Sequence, residues 1–297
     1  MVTTLAAIFF CVVLIDFGVG KLFDGLLEKL PSEGERVAKS NYVLTRVNSD
    51  VVIVGSSRAE CHYNSKMLQE SGLGGAVFNC GVDGSLFYYQ VAVVNCILDR
   101  YAPQLIIWDL QLEDLAKNVL TENLGLLYPY YWENSYIKNY LNELETELKF
   151  KIWLNAYRYN ATGSRILRSL KLPESNNLGF DGHEAGDLSR SIEPMMVKLG
   201  KKNLDENKIA LLKQIIIRMQ KKGSRLIIVH SPYFYQYNGT SSTTDILYSI
   251  CRDYNISFIN DSQLPEFIGN IDYVFDASHL NIKGANAFTE LLSHQIN

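Results

Sequence analysis

The sequence predicts an α/β protein, a three-layer α/β/α sandwich around a five-stranded parallel sheet, behind an N-terminal transmembrane helix. Short apolar runs that end on glycine or small polar residues alternate with segments whose apolar residues recur at helical spacing, and this alternation predicts the sandwich. The stretch "VTTLAAIFFCVVLIDFGVG" at 2–20 contains one charged residue, Asp16, and predicts the membrane helix.

The N-terminal stretch has nineteen residues, which at ~1.5 Å per residue nearly span a ~30 Å hydrocarbon core. A cleaved signal peptide and a buried soluble helix are the alternatives. The lack of a basic leading region and of a small-x-small cleavage site argues against the first, while Asp16 favours the second. Lys21, Lys29, Arg36 and Lys39 follow the stretch, so the positive-inside rule alone would place the bulk of the chain inside.

The strands are apolar runs without in/out alternation, as expected where both faces of a parallel sheet are covered. They are predicted at 50–55, 76–81, 104–110, 224–232 and 256–260.

The helices between the strands are predicted from apolar periodicity and from end signals. After a short amphipathic helix and polar connector at 21–49, they lie at 64–72, 85–101, 205–223, 243–254 and from about Lys283 onward. Asp205 is the expected N-cap of its helix, and Gly223 follows that helix's end.

Residues 115–204 interrupt the alternation with aromatic-rich segments and a loop rich in Gly, Asn and Asp. Because a structureless insertion of that length is implausible, we expect a helical excursion with a loop. Its cluster of Tyr128, Tyr130, Tyr131 and Trp132 would either stack on sugar rings or form the core of the insertion. The predicted organisation is an anchor at 1–20, a connector at 21–49 and one domain at 50–297 that carries this insertion.

Composition limits the classes of function. The chain has 297 residues, 47% hydrophobic and 20% charged, which suits a globular protein with an ample core. A formal net charge of -4 and the lack of a Lys/Arg stripe argue against nucleic-acid binding. The five cysteines have no CxxC and no regular spacing, so neither a disulfide framework nor a zinc site is indicated.

Two short stretches carry candidate chemistry. Gly55-Ser56-Ser57 follows a buried strand, and it is either a turn with a helix N-cap or a serine held at the edge where α/β sheets bind ligands. Near the other end, Asp276 precedes His279 by three residues, just ahead of a helix. An Asp at this position can orient and charge-stabilise the imidazole of a general base.

Three blocks together resemble the SGNH/GDSL hydrolase family, in particular its membrane-anchored bacterial members with a Gly-Ser-Ser first block. They are Gly55-Ser56-Ser57, "NCGVDG" at 79–84 and "DASHLNIKGA" from Asp276, and the resemblance covers roughly 50–114 and 224–297. It implies a flavodoxin-like SGNH fold with Ser57 as nucleophile, His279 as general base and Asp276 as its orienting acid. The N–H groups of Ser57 and Gly84 would form the oxyanion hole.

The third block departs from the family pattern. An ungapped comparison puts Glu113 where the family has an Asn that donates to the oxyanion. Either Gln111 supplies the missing donor, or the oxyanion hole has two donors, or the protein is a weak or specialised catalyst.

The resemblance implies a serine esterase or O-acyltransferase that acts on ester-linked acyl groups, acetyl foremost, of cell-envelope or extracellular glycans. This chemistry needs no metal or organic cofactor. It requires the catalytic domain to be periplasmic or otherwise extracytoplasmic. This requirement outweighs the positive-inside rule, which the few basic residues after the anchor support only weakly. The alternative is a catalytically silent envelope protein that keeps the SGNH fold as a glycan-binding or assembly module. The oligomeric state is not predicted.

Four further residues are candidate substrate contacts. Arg58 would bind an anionic substrate group or make a local salt bridge, and His62 would line the pocket or serve a surface or capping role. Tyr131 and Trp132 are the sugar-stacking candidates from the insertion. His230, Ser231 and Pro232 end a strand at the same edge and are supporting candidates, whereas His183 and His294 have no partner by spacing.

Overall fold

The computed structural model describes residues 1–117, 124–173, 175–185 and 195–296. They form two compact units: the first combines Met1–Tyr42 with Asn123–Ser175, and the second combines Val43–Glu122 with Asn176–Asn297. The sequence placed the described residues 124–173 and 175 inside the sheet domain as part of an insertion. In the structure they cluster instead with the N-terminal residues. The predicted insertion also included 118–123, 174 and 186–194, which lie outside the described residues.

Twelve α-helices and seven strands occur in the described ranges. The helices are α1 (Val2–Leu27), α2 (Arg36–Thr45), α3 (Ser57–His62), α4 (Ser65–Glu70), α5 (Phe87–Arg100), α6 (Ser135–Leu144), α7 (Leu148–Lys151), α8 (Asn155–Arg158), α9 (Gly163–Ser169), α10 (Glu206–Lys222), α11 (Ser242–Asp253) and α12 (Ile282–Ile296). The strands are β1 (Val51–Val54), β2 (Val77–Asn79), β3 (Leu105–Asp109), β4 (Met196–Lys198), β5 (Arg225–His230), β6 (Gln236–Asn238) and β7 (Ser257–Asn260). Short 3₁₀ turns occupy Leu124–Leu126, Tyr128–Tyr130 and Ile271–Tyr273.

The second unit is built on a five-stranded sheet in the order β2-β1-β3-β5-β7. All neighbouring pairs are parallel, with Val51 opposite both Val77 and Leu105. Every residue of β1 and β3 is buried, which accounts for their lack of alternation. The predicted α/β class and five-stranded parallel sheet are confirmed.

Helices cover both faces of this sheet. On one face, Val51 and Ile53 share an apolar cluster with Ala59 of α3 and Phe288 of α12. On the other, Trp108 of β3 stacks on Phe87 of α5 with ring centroids 5.8 Å apart. The indole N–H of Trp108 donates to Gln90 Oε1 at 2.8 Å, so the largest buried ring has its polar atom satisfied.

The end signals of α10 act as predicted. The Asp205 carboxylate accepts from the N–H groups of Asn207 and Lys208, and Gly223 adopts the left-handed conformation at φ 77°. The helices predicted at 243–254 and from about Lys283 are present as α11 and α12.

The small parallel sheet of β4 and β6 was not predicted. Both of its strands are three residues long and mostly exposed, so neither has the apolar run that marks a strand in sequence. The six-residue helix α3, directly after the Gly-Ser-Ser turn, was also not separated from the helix predicted at 64–72.

In the first unit, α1 continues to Leu27, so residues 21–27, predicted as a short separate helix of the connector, extend the N-terminal helix. The second half of α1 is held by its packing. Phe23 stacks on Tyr159 with centroids 5.0 Å apart, and Asp24 accepts from the buried Arg158 at 2.7 Å. The connector predicted at 21–49 is therefore the end of α1 followed by α2.

The first half of α1 has no such packing. Its most apolar window has a mean hydropathy of 2.4 with none of it buried, and by length and composition it can cross a membrane. A soluble core helix would be buried, so this exposure argues against that alternative. The rest of the unit is the helical excursion expected within 115–204, with α6 to α9 in short succession.

Candidate active site

Ser57 stands at the turn that follows β1. The turn is tight, because a Cβ on Gly55 would lie 2.6 Å from Ala59 Cβ and 2.8 Å from the Asp109 carbonyl oxygen. Only glycine fits such an approach. Ser57 is the first residue of α3 and is half-buried, so its hydroxyl stays reachable from solvent.

The structure brings Ser57, His279 and Asp276 together. His279 Nε2 lies 2.8 Å from Ser57 Oγ, and its Nδ1 lies 2.9 Å from both carboxylate oxygens of Asp276. Asp276 Oδ1 also accepts the N–H groups of Ser278 at 2.7 Å and His279 at 2.9 Å. One carboxylate therefore shapes the loop and orients the ring.

The charge of Asp276 fixes the tautomer of His279. Partial burial acts to raise the pKa of Asp276, but hydrogen bonds from the His279 ring and from the N–H groups of Ser278 and His279 outweigh it and lower this pKa. An ionised carboxylate accepts only, so Nδ1 carries the proton and Nε2 faces Ser57 as an acceptor. This is the arrangement that a base needs to take a proton from a serine hydroxyl.

Neither serine of the turn caps the helix with its side chain. Ser56 occupies the N-cap position of α3 without a side-chain capping bond. Its hydroxyl instead accepts from Gln111 Nε2 at 2.6 Å. The alternative interpretation of Gly-Ser-Ser, a turn in which a serine hydroxyl caps the helix, therefore applies to neither Ser56 nor Ser57.

Two of the predicted oxyanion donors lie in loops joined at Gly55. The Gly55 carbonyl accepts from Val82 N–H at 3.2 Å and from Ser85 Oγ at 3.2 Å, which ties the loop containing Gly84 to the serine turn. Gly84 is exposed and has φ 69°, a conformation that favours glycine. Among the described residues, no acceptor is bound to the N–H of Ser57 or of Gly84, so both donors are available to a ligand.

Gln111, the third predicted donor, lies beside the serine turn through its bond to Ser56. Its backbone N–H donates to Asp114 Oδ2 at 2.8 Å, which fixes the residue after β3. Glu113, the residue that the sequence comparison aligned with an Asn of the SGNH/GDSL family, forms an ion pair with Lys202 at 2.6 Å. Both partners of that pair are half-exposed, so the carboxylate is neutralised at the surface.

A cleft of about 440 Å³ extends from Gln111 along the small sheet. Its polar and aromatic lining consists of Gln111, Glu113, Lys198, Lys202, Tyr233 and Tyr237. Hydroxyl, amide and ammonium donors beside aromatic rings form a surface on which a hydroxylated ligand can bind.

Arg58 is buried, contrary to the prediction that it contacts an anionic substrate group. It is 3% exposed, and its guanidinium donates to the carbonyls of Ser278 at 2.7 Å, Ser231 at 2.8 Å and Pro232 at 2.7 Å. These bonds join the loop of His279 to the end of β5. Tyr233 covers the guanidinium at 3.7 Å, so Arg58 is a positioning residue and not a substrate contact.

His62 is also buried, contrary to the predicted pocket or surface position. Leu280 N–H donates to its Nε2 at 3.1 Å, so its proton lies on Nδ1 and is donated to Ser231 Oγ at 3.1 Å. Ser231 Oγ in turn donates to Asp109 Oδ2 at 2.8 Å. Burial, with Arg58 nearby, holds the pKa of His62 well below its ordinary value and keeps the ring neutral.

Asp109 gives this buried network a predictable pH dependence. Burial raises its pKa to about 6, so between about pH 4 and pH 6 the folded chain holds a proton that the unfolded chain releases. Its contribution to the free energy of unfolding is fully present below about pH 4 and lost above about pH 6, a change of about 3 kcal/mol. We expect the stability difference between wild type and Asp109→Asn to change by about that amount across this range.

The measurement is denaturant unfolding of the full chain in detergent at pH 4 to 7.5. Asp272→Asn, at an exposed position, is the control and should follow wild type. Parallel pH curves for wild type and Asp109→Asn would contradict the expectation. The neutral, buried His62 and His230 titrate in the opposite sense, and the difference between wild type and variant removes their contribution.

Two other histidines were considered from the sequence, His183 without a partner and His230 as a supporting candidate at the end of a strand. The His183 ring packs on Phe275 at 4.6 Å and lies 6.2 Å from the His279 ring, so it borders the site although sequence reasoning found no partner for it. His230 is fully buried against Leu110 and Thr244, and burial lowers its pKa to about 4. It supports the fold and does not line the site.

Tyr131 and Trp132 belong to the first unit. Tyr131 is 2% exposed and donates to Asn142 Oδ1 at 2.8 Å, so it is core and not a sugar platform. Trp132 is 41% exposed and contacts Trp153 at 4.8 Å. Tyr128 and Tyr130 are buried as well, so most of the predicted aromatic cluster is packing.

No model of a known protein family matches the chain, and the search of curated proteins finds no relative.

Proposed function

We propose that this protein is a serine esterase or O-acyltransferase of SGNH/GDSL type, acting on ester-linked acyl groups of cell-envelope or extracellular glycans. The observation that carries the proposal is the continuous hydrogen-bonded line from Ser57 Oγ through His279 to Asp276, at 2.8 and 2.9 Å. Counted in chain order, the five strands have the order 2-1-3-4-5, which is the flavodoxin-like order and supports an SGNH-type fold.

In the first half of the reaction, Ser57 Oγ attacks the acyl carbonyl carbon while its proton passes to His279 Nε2. The negative charge that develops on the carbonyl oxygen is stabilised by the N–H groups of Ser57 and Gly84. One such donor contributes about 3 kcal/mol to the transition state. Asp276 stabilises the imidazolium that forms, and collapse of the intermediate expels the alcohol, which takes the proton from Nε2.

In the second half, a water or a sugar hydroxyl attacks the acyl-serine. His279 removes the proton of this acceptor and returns one to Ser57 Oγ, so the enzyme is restored and atoms balance. Hydrolase and transferase share these residues and differ in which acceptor reaches the acyl-enzyme. The cleft beside Gln111 is the natural site for the glycan, acetyl being the acyl group we favour.

Anchoring by α1 is part of the proposal. Asp16 accepts hydrogen bonds from Asn155 N and Nδ2 and from Ala156 N, and Asp24 pairs with Arg158. A segment with partners in the mature fold is better explained as a retained anchor than as a cleaved signal peptide. A glycan substrate in the envelope places the catalytic unit outside the inner membrane.

The bond between Gln111 and Ser56 favours the second candidate, a catalytically silent envelope protein that binds glycans or serves assembly. This bond engages the Gln111 side-chain amide, which would otherwise serve as the third oxyanion donor. Such a protein would keep the fold and the cleft without turnover.

The test is labelling of the full chain in detergent by a fluorophosphonate probe, with the modified residue located by mass spectrometry. We expect stoichiometric modification of Ser57 and none of Ser56. Absence of labelling in a folded chain would overturn the enzymatic proposal in favour of the silent module. The full chain is required, because Leu27, Leu30 and Val37 share a core with Tyr159 and Ile166 that an N-terminal truncation would remove.

A further inference from the structure

An exposed apolar surface precedes α8 in the first unit. Phe150 is 73% exposed, Trp153 71% and Leu154 59%, and Trp153 contacts the partly exposed Trp132 at 4.8 Å. We refer to Phe150, Trp153, Leu154 and Trp132 as the aromatic surface. Large apolar side chains exposed together on one unit mark an interaction site.

This surface is tied directly to α1. Asn155, the residue after Leu154, donates its backbone N–H to Asp16 Oδ2 at 2.9 Å. Because consecutive Cα atoms are ~3.8 Å apart, Leu154 and Trp153 lie within about 8 Å of this attachment point. The hydrogen bond to Asp16 therefore fixes the position of Leu154 and Trp153 along the axis of α1.

Asp16 marks the point where α1 changes its surroundings. The residues before it are exposed and uncharged, whereas from Asp16 onward the helix is held by residues of its own unit. Within the described ranges, the hydrogen bonds that bind Asp16 come from Asn155 and Ala156 at the start of α8. Lys21, the first basic residue, lies five positions further, about 7.5 Å along the axis. We infer that the transition from hydrocarbon to headgroups falls between these two residues.

We propose that the aromatic surface docks into the headgroup region of the membrane that α1 anchors, beside the helix. Tryptophan is enriched at this depth because its ring is apolar and its N–H is polar. Lys149 precedes Phe150 and can extend its ammonium group to lipid phosphates, whereas Lys151 pairs with Glu147 at 2.8 Å. The inference rests on the proposed anchoring by α1 and is independent of catalysis.

The test uses the full chain in phosphatidylcholine vesicles, with and without lipids brominated near the top of the acyl chain. Flotation establishes anchoring first. Brominated lipid should quench part of the tryptophan emission, and Trp153→Phe should remove at least half of this quenching. Trp132→Phe should remove less, because Trp132 is less exposed. Trp108 is fully buried and provides the unquenched background.

Each outcome is decisive. Flotation with equal quenching in wild type and Trp153→Phe would overturn the docking surface and leave the anchor intact. Trp153 shielded from both brominated lipid and aqueous iodide would overturn it in favour of a second copy of the chain on this surface. Failure to float would overturn the anchor together with the docking surface, while the labelling of Ser57 would still test catalysis.

Discussion

Replacement of Ser57 by alanine is expected to lower kcat for an acyl ester such as p-nitrophenyl acetate by about 10⁴- to 10⁶-fold. The reason is that Ser57 Oγ is the hydroxyl that His279 Nε2 faces at 2.8 Å. The measurement is steady-state turnover by the full chain in detergent. The melting temperature should change little, because the hydroxyl is half-buried and its partner is a side chain.

Ser56→Ala is the matched control, since it removes the neighbouring hydroxyl from the same turn. It breaks only the bond from Gln111 Nε2, so a loss of at most about tenfold is expected, in line with one neutral hydrogen bond. If Ser57→Ala keeps wild-type turnover while Ser56→Ala loses it, the nucleophile has been assigned to the wrong serine. If both keep it, the activity does not arise from this turn.

Asp276→Asn is expected to lower kcat/KM by about 10⁴-fold without unfolding the loop. The asparagine oxygen can still accept the N–H groups of Ser278 and His279, but its NH₂ would face His279 Nδ1. The ring then takes the other tautomer, with the proton on Nε2, where it cannot accept the proton of Ser57. The rate of fluorophosphonate labelling should fall in parallel.

Asp272→Asn serves as the control for this prediction. It is the same substitution in the neighbouring turn, where the carboxylate is 71% exposed and pairs loosely with Lys283 at 3.6 Å. Its activity should match that of wild type. Loss of activity in both variants would point to a general disturbance of the 272–283 segment, and unchanged activity in Asp276→Asn would remove Asp276 from the mechanism.

The sheet and the pairing of Asp276 with His279 were predictable because their signals are local, whereas the pairing of Ser57 with His279 was implied by the resemblance to the SGNH/GDSL family. Fully buried strands leave uninterrupted apolar runs, and Gly55 marks the turn that only glycine permits. Asp276 and His279 are three positions apart in a short loop. This spacing lets one carboxylate bind both the ring and the backbone N–H of His279.

The burial of Arg58 and His62 was not predictable, because it depends on partners more than 150 positions away in the chain. Ser231 and Ser278 are far from Arg58 in the sequence and reach it only in the folded chain. No local sequence pattern predicts these two contacts. The same holds for His183 beside His279. The position of Arg58 next to Ser57 therefore suggested substrate binding, although its hydrogen bonds hold the loop of His279.

The two-part first unit also sets an order of folding. Asp24 is synthesised 134 positions before its partner Arg158, on the order of ten seconds at typical rates of translation. The strands β1 to β3 emerge between the two halves of that unit, and β5 and β7 emerge after it. All of the first unit has been synthesised once Ser175 has emerged, when the second unit still lacks β5 and β7, so the first unit can fold before the second is complete. A chain released before residue 279 would carry Ser57 without His279.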